Sequence, residues 1–221
     1  MRINKLIANS FDLSRRQADE AIRAGRVKIN GHVAVLGEDV SLGEQVELDG
    51  QPAHLKTPIY LALHKPVDYV CSRRGQGAHT IYELLPPEYQ GLNSAGRLDK
   101  DTSGLLLLTN DGDFAHQITH PKFFKAKEYM VQLDKPLAAL DRRQIENGLQ
   151  LEDGPSRFEF ISGTGRQFLI RLYEGRNRQI RRTFRQLGYQ VNKLHRTSLG
   201  DYQLNGLESG QFRLLPPPRA G

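Results

Sequence analysis

The sequence is short of sulfur: among 221 residues there is a single cysteine, Cys71. A lone thiol excludes an internal disulfide framework and any site built from several thiolates, and it fits a reducing compartment. Long apolar runs are missing too. No stretch approaches the roughly 20 residues a membrane span requires, and Met1 is followed by mixed polar sequence rather than a signal-peptide core. A cytoplasmic chain without a membrane partner is expected. No Gly-x-x-x-x-Gly-Lys-Ser/Thr loop occurs, and Gly163-Thr164-Gly165 lacks the third glycine of a dinucleotide loop, so nothing calls for a nucleotide cofactor. His116 and His120 stand four apart with no adjacent Glu or Cys to complete a metal set, so no metal site is expected. Cys71 beside Ser72 has no marked base and is read as packing.

What remains is a globular balance, 38% hydrophobic and 25% charged, long enough for one small module joined to one larger domain. The net charge is +6, and its distribution matters more than its total. Residues 1 to 30 hold seven Lys or Arg against three acids, and residues 166 to 196 hold nine against Glu174 alone. Two separated basic zones suit a long polyanion touched at two places. Two solvated faces would produce the same counts.

Ile3, Leu6 and Ile7 are spaced as one helix face, and Ser14-Arg15-Arg16-Gln17 is a capping-box pattern opening a second helix. Ala18, Ala21 and Ile22 form its apolar side, Arg16 and Arg23 the other, and Gly25 suits a left-handed cap. Val27 and Ile29 alternate with Arg26 and Lys28 before an Asn30-Gly31 turn, so His32 to Val35 should return as a hairpin. This module is assigned to residues 1–50, and the aperiodic, proline-containing stretch 51–58 to a linker. A second domain is expected over 59–215, followed by a Pro-rich tail at 216–221. In it Ile59, Leu61 and Leu63 alternate, Val67 to Ser72 offers a partner strand, and Leu105 to Leu108 reads as a buried central strand. Further strands are read around Tyr129 to Leu133, Phe158 to Phe160 and Phe168 to Leu172. Asn177 to Leu187 reads as a helix with Ile180, Phe184 and Leu187 inward, Arg178, Arg182 and Arg185 outward and Arg181 at the margin. Helices are too few for regular βαβ alternation, so the class is α+β with a mixed, mainly antiparallel sheet.

Two stretches could carry chemistry. Gly96 to Gly104 places Arg97, Asp99, Lys100 and Asp101 in a loop feeding the leucine strand, where a carboxylate could serve as nucleophile or general base. A plain turn in which Asp99 or Asp101 accepts backbone N–H groups fits the spacing as well. Glu174 to Arg182 is a glycine-containing turn entering a helix, and Arg176, Arg178, Arg181 and Arg182 crowd there, a ready site for an anion.

Taken in order, these motifs resemble the RsuA-type family of bacterial ribosomal RNA pseudouridine synthases. The resemblance rests on Gly96 to Asp99 with Thr102 to Leu106, Lys127-Glu128-Tyr129, Leu63 to Pro66, Tyr69 to Ser72, Glu174 to Arg182 and Lys193 to Arg196. Residues 2 to 50 resemble the small α-L RNA-binding domain shared with a ribosomal small-subunit protein and with tyrosyl-tRNA synthetases. The resemblance implies isomerisation of a ribosomal uridine without metal or nucleotide cofactor. It also implies Asp99 as the catalytic carboxylate, Tyr129 stacked on a flipped base, and Arg181 paired with the carboxylate. Arg97 would enter the space the base leaves. Arg15, Arg16, Arg23, Arg26 and Lys28, with Arg176, Arg178, Arg182 and Arg185, would hold RNA. A monomer acting on ribosomal RNA or an assembling subunit is expected. The segments Tyr69 to Ser72, Ala115 to Thr119 and Leu194 to Arg196 resemble the small-subunit enzyme more than its large-subunit relatives, so the small-subunit (16S) RNA is expected, with the large-subunit (23S) RNA as the alternative.

A non-catalytic ribosome-assembly protein would share both basic zones. It would not need a carboxylate inside a basic cleft, where a negative charge weakens phosphate binding. A helix-turn-helix regulator fits less well, because the first module continues into a hairpin rather than a third helix.

Overall fold

The computed structural model describes residues 1–75 and 77–218, and the last three positions of the expected tail lie outside them. The chain divides into two compact units, Met1–Pro58 and Ile59–Gly221.

In the first unit, α1 (Ile3–Ser10) and α2 (Arg15–Arg23) pack through Ile3, Ile7, Ala18 and Ile22. Ser14 and Gln17 close a reciprocal capping box, with Gln17 N donating to Ser14 Oγ at 3.2 Å. Strands β1 (Val27–Ile29) and β2 (His32–Val33) form the expected hairpin, and Asn30 and Gly31 both take the positive φ that such a turn requires. Two further strands, β3 (Val46–Leu48) and β4 (Gln51–Pro52), extend the sheet to the order β2-β1-β3-β4. Residues 51–58 are therefore not all linker. Gln51 and Pro52 pair with β3, and Lys56 binds back to Asn9 and Asp12.

The second unit contains, in chain order, β5 (Tyr60–Lys65), β6 (Asn93–Ala95), β7 (Ser103–Thr109), α3 (Gly112–Thr119), β8 (Lys127–Leu133), α4 (Ala139–Asn147), β9 (Leu149–Leu151) and β10 (Gly154–Ser156). It continues with β11 (Glu159–Thr164), β12 (Gln167–Leu172), α5 (Gln179–Gln186), β13 (Val191–Leu199), β14 (Tyr202–Gln203) and β15 (Phe212–Leu214). The main path of the sheet is β11-β12-β8-β13-β7-β5-β15. The β13–β7 pair is parallel and its other pairings are antiparallel, which is the mixed α+β class.

Four consecutive leucines tolerate no wet face. Leu106 and Leu108 enter the larger core with Phe158, Ile170 and Phe184, while Leu105 and Leu107 pack with Tyr60, Phe114 and Ile118 on the other side. Val67 to Ser72 does not form the expected strand; only Val70 makes an isolated bridge, to Thr80. Helix α5 begins later than expected, because Arg178 sits at its N-cap in the left-handed region (φ 47°).

The sheet forks at β7. Its first residues, Ser103 and Gly104, pair with His195 and Arg196 of β13, whereas Leu107 to Thr109 pair with β6. The chain from β6 to β7, residues 96 to 102, lies at this fork. Gly104 makes it possible: at φ +116°, a Cβ there would stand 2.2 Å from the Arg196 carbonyl oxygen.

Candidate active site

A cavity of about 290 Å³ opens at the fork, and Asp99, Arg97, Tyr129, Lys127, Arg178 and Arg196 are among its walls. This is the low end of small-molecule sites. Strand geometry explains half of the set. Lys127 and Tyr129 are two apart on β8 and share a face, and Arg196 on β13 is the register partner of Tyr129. The loop supplies the rest, with Asp99 half-exposed and Arg97 exposed.

The loop is held from beneath by a residue to which the sequence reading gave no role. Lys65 is fully buried, and its Nζ donates to the carbonyls of Pro66 and Thr102 at 2.8 Å, with that of Lys100 at 3.5 Å. Burial pushes its ammonium down to about 8, against the weaker pull of Cys71, Asp101, Asp68 and Asp99. Cys71 shares this underside: its thiol donates to the Leu98 carbonyl and accepts from the Leu98 N–H, both at 3.4 Å, and burial pushes its pKa up. That thiol is a strut rather than a nucleophile.

Arginines reach the loop from α5, with a different division of labour from the one expected. Arg178 grips Asp101 through both carboxylate oxygens at 2.9 and 2.8 Å and lies 3.9 Å from Asp99. Arg181, expected to pair with Asp99, instead donates to the Asp101 carbonyl at 2.7 Å and the Val191 carbonyl at 2.8 Å, with its Nε 3.3 Å from the Asp101 carboxylate. It lies behind the loop, where burial lowers its pKa and Asp101 raises it. The left-handed N-cap explains the exchange, since it places Arg178 ahead of the helix and beside the loop. Asp101 is held below the usual carboxylate range by its hydrogen bonds from Arg178, so the loop's second acid is a clamp.

The cavity floor is cationic. Lys127 and Arg196 are both buried, and no carboxylate of the described residues lies within ion-pair distance of either. Burial lowers the Lys127 pKa first and the neighbouring Arg196 lowers it further, with Glu174 opposing. Arg196 donates from Nε to the Leu105 carbonyl at 2.8 Å, while its Nη2 has no hydrogen-bond partner. The signal for this pair was present in Lys127-Glu128-Tyr129 and Leu194-His195-Arg196, but only the register brings the two together.

The remaining expected RNA ligands separate into answered and unanswered charges. Arg176 and Arg182 both bind Asp153 on the β9–β10 turn, at 2.8 and 2.6 Å. Arg185 is exposed and borders a second cavity of about 650 Å³ with Arg178, Arg181 and Tyr189. In the first unit Arg26 is paired with Asp49, and Lys28 lies 3.7 Å from Glu47. Arg15, Arg16 and Arg23 are exposed on α2, and Arg15 donates to Asn4 at 3.0 Å. His116 and His120 meet edge to face, and among the described residues no group of three His, Cys, Asp or Glu is placed to hold a metal.

Residues 59–186 match the family described as RNA pseudouridylate synthase, and residues 1–46 match the S4 domain. The ribosomal large subunit pseudouridine synthase B of Bacillus subtilis is 36% identical over 98% of this chain and 92% of its own length. The ribosomal small subunit pseudouridine synthase A of Vibrio parahaemolyticus is 35% identical over 97% of this chain and 96% of its own length. A crystal structure of a pseudouridylate synthase superposes with a TM-score of 0.71 at 35% identity, covering 98% of this chain and 96% of that one.

Proposed function

The chain belongs to the RNA pseudouridylate synthase family, and from that premise we propose that it converts a uridine of ribosomal RNA to pseudouridine in the cavity at the sheet fork. One observation carries the assignment of residues: Asp99 and Tyr129 face one small cavity whose other charged walls are cationic. In the isomerisation the N1–C1′ bond breaks, the uracil turns, C5 bonds to C1′, the C5 proton leaves and N1 gains a proton. No redox partner is needed.

Asp99 acts at the ribose as nucleophile or base, with the Arg178 guanidinium 3.9 Å away. Tyr129 offers its ring to the flipped base. Lys127 and Arg196 favour the negative charge that the uracil and the adjacent phosphates bring. Arg181 acts through Asp101 as a positioning residue for the loop. Arg97 is exposed at the rim and fills the space the base vacates. Arg15, Arg16 and Arg23 on α2 are the first unit's phosphate contacts. The protein acts as a cytoplasmic monomer. The large-subunit and small-subunit relatives are equally similar, at 36% and 35% identity, so the subunit is decided by mapping the product.

Because the C5 hydrogen is lost, RNA labelled with tritium at uridine C5 reports the reaction as released tritium. Asp99→Asn should release none under single-turnover conditions while binding the RNA with unchanged affinity. Release at the wild-type rate would remove Asp99 from the chemistry.

A further inference from the structure

The C-terminal end of α3 runs into a cluster of surface rings with no part in the account above. His116 and His120, one helical turn apart, have ring centroids 4.6 Å apart. Phe123 meets them edge-on at 5.6 and 6.5 Å, and Lys122 Nζ lies 4.8 Å over its ring. Phe124 follows, 73% exposed and held at φ 48° in the left-handed region. All four rings are exposed.

The cluster adjoins the cavity. Ile118 and Thr119, on the same turn of α3, are cavity wall residues. Thr119 packs so closely on the loop that a Cβ at Gly96 would stand 3.3 Å from its Cγ2. The next residue is His120. Lys122 and Lys125 flank the rings, with Asp201 3.8 Å from Lys125 and Asp113 three residues before His116 on α3 as the opposing acids. Exposed rings interleaved with lysines match the chemistry of unpaired nucleic acid, whose bases offer π-faces and whose backbone offers charge.

Moving a uridine into the cavity strips its neighbour of a stacking partner. We propose that the cluster is a stacking platform for an unpaired base next to the target uridine, with Phe124 taking the base and Phe123, braced by the two histidines and Lys122, backing it. The proposal rests on the reading of the Asp99 cavity as the uridine site. It makes this surface a determinant of which uridine is chosen, because only a uridine whose neighbour can reach the rings gains the contact.

The test is a thermodynamic cycle on the full-length protein. Dissociation constants are measured for a stem-loop RNA carrying the mapped uridine, with the flanking nucleotide on each side either intact or abasic, against wild type, Phe124→Leu and Phe124→Tyr. Phe124 is exposed, so Phe124→Leu should keep the wild-type melting temperature. The expected result is a loss of about tenfold for Phe124→Leu on intact RNA. An abasic site on one side should cost wild type the same factor and Phe124→Leu nothing further, and Phe124→Tyr should restore binding. Unchanged affinity in Phe124→Leu, or losses that multiply, would overturn the platform. Binding is read independently of turnover. A wild type that shows the cycle but makes no pseudouridine would therefore refute the cavity reading alone.

Discussion

Lys65→Met separates what a buried charge does for stability from what it does for the site. The side chain is 0% exposed, and its ammonium answers two carbonyls at 2.8 Å. Its pKa falls from 10.5 in the unfolded chain to about 8 in the fold. A lysine whose folded pKa is depressed binds fewer protons when folded, so its penalty is full below the folded value and relieved as pH rises toward the unfolded one. At about pH 7.5 that penalty is about 3 kcal/mol, and at about pH 9.5 about 1.4 kcal/mol. Methionine fills the space without a charge but leaves the carbonyls of Pro66 and Thr102 unanswered, at about 1 to 3 kcal/mol each. The opposing effects largely offset each other near neutral pH, so Lys65→Met should lie within about 3 kcal/mol of wild type there. Urea unfolding at both pH values is the assay. Wild type should gain about 2 kcal/mol relative to Lys65→Met over the interval. Tritium release should fall at least tenfold, because the Asp99 loop loses its anchor. A stability difference that is flat, or that moves against wild type as pH rises, would refute the reasoning.

Other expectations follow from the same contacts. Arg178→Ala should slow single-turnover tritium release while leaving the fold intact, whereas Arg181→Ala should cost about 1 to 3 kcal/mol in unfolding experiments, because the Val191 and Asp101 carbonyls lose their donor. Equal effects of both on rate and stability would contradict the division of roles. Gly104→Ala should fail to give a stable fold, since its Cβ would meet β13 backbone at 2.2 Å; a wild-type melting curve would show the β7–β13 approach to be wrong. Residues 59–221, which hold their own core, should fold alone, with a raised KM and a flatter salt dependence of RNA binding. Unchanged affinity and salt slope would remove the first unit from RNA binding.

Much of the fold is legible where a short pattern decides it. The leucine run, the capping box at Ser14 and the stripe of Ile180 and Phe184 each specify their element locally. Strand β13 was not legible, because its register shifts between Val191 and Lys193 and between Arg196 and Ser198, which breaks the alternation that marks a strand. Strands β3 and β4, of three and two residues, are too short to carry a period. Helix α4 leaves Leu140 exposed and buries only Ile145, so its stripe is faint. In the site, Asp99 and Tyr129, which the ordered motifs single out through the family resemblance, line one cavity. The Arg178–Asp101 clamp depends on one left-handed residue, and the Lys127–Arg196 floor depends on strand register. Neither is written in local sequence.

The most direct test of the account is the position of pseudouridine in ribosomal RNA from cells with and without this protein. Pseudouridine and uridine have the same mass, so the RNA is chemically derivatised before reverse transcription. The account predicts a site in ribosomal RNA that is modified in the parent, unmodified in the deletion, restored by the wild-type chain and not restored by Asp99→Asn. Identical maps from parent and deletion, or restoration by Asp99→Asn, would contradict it.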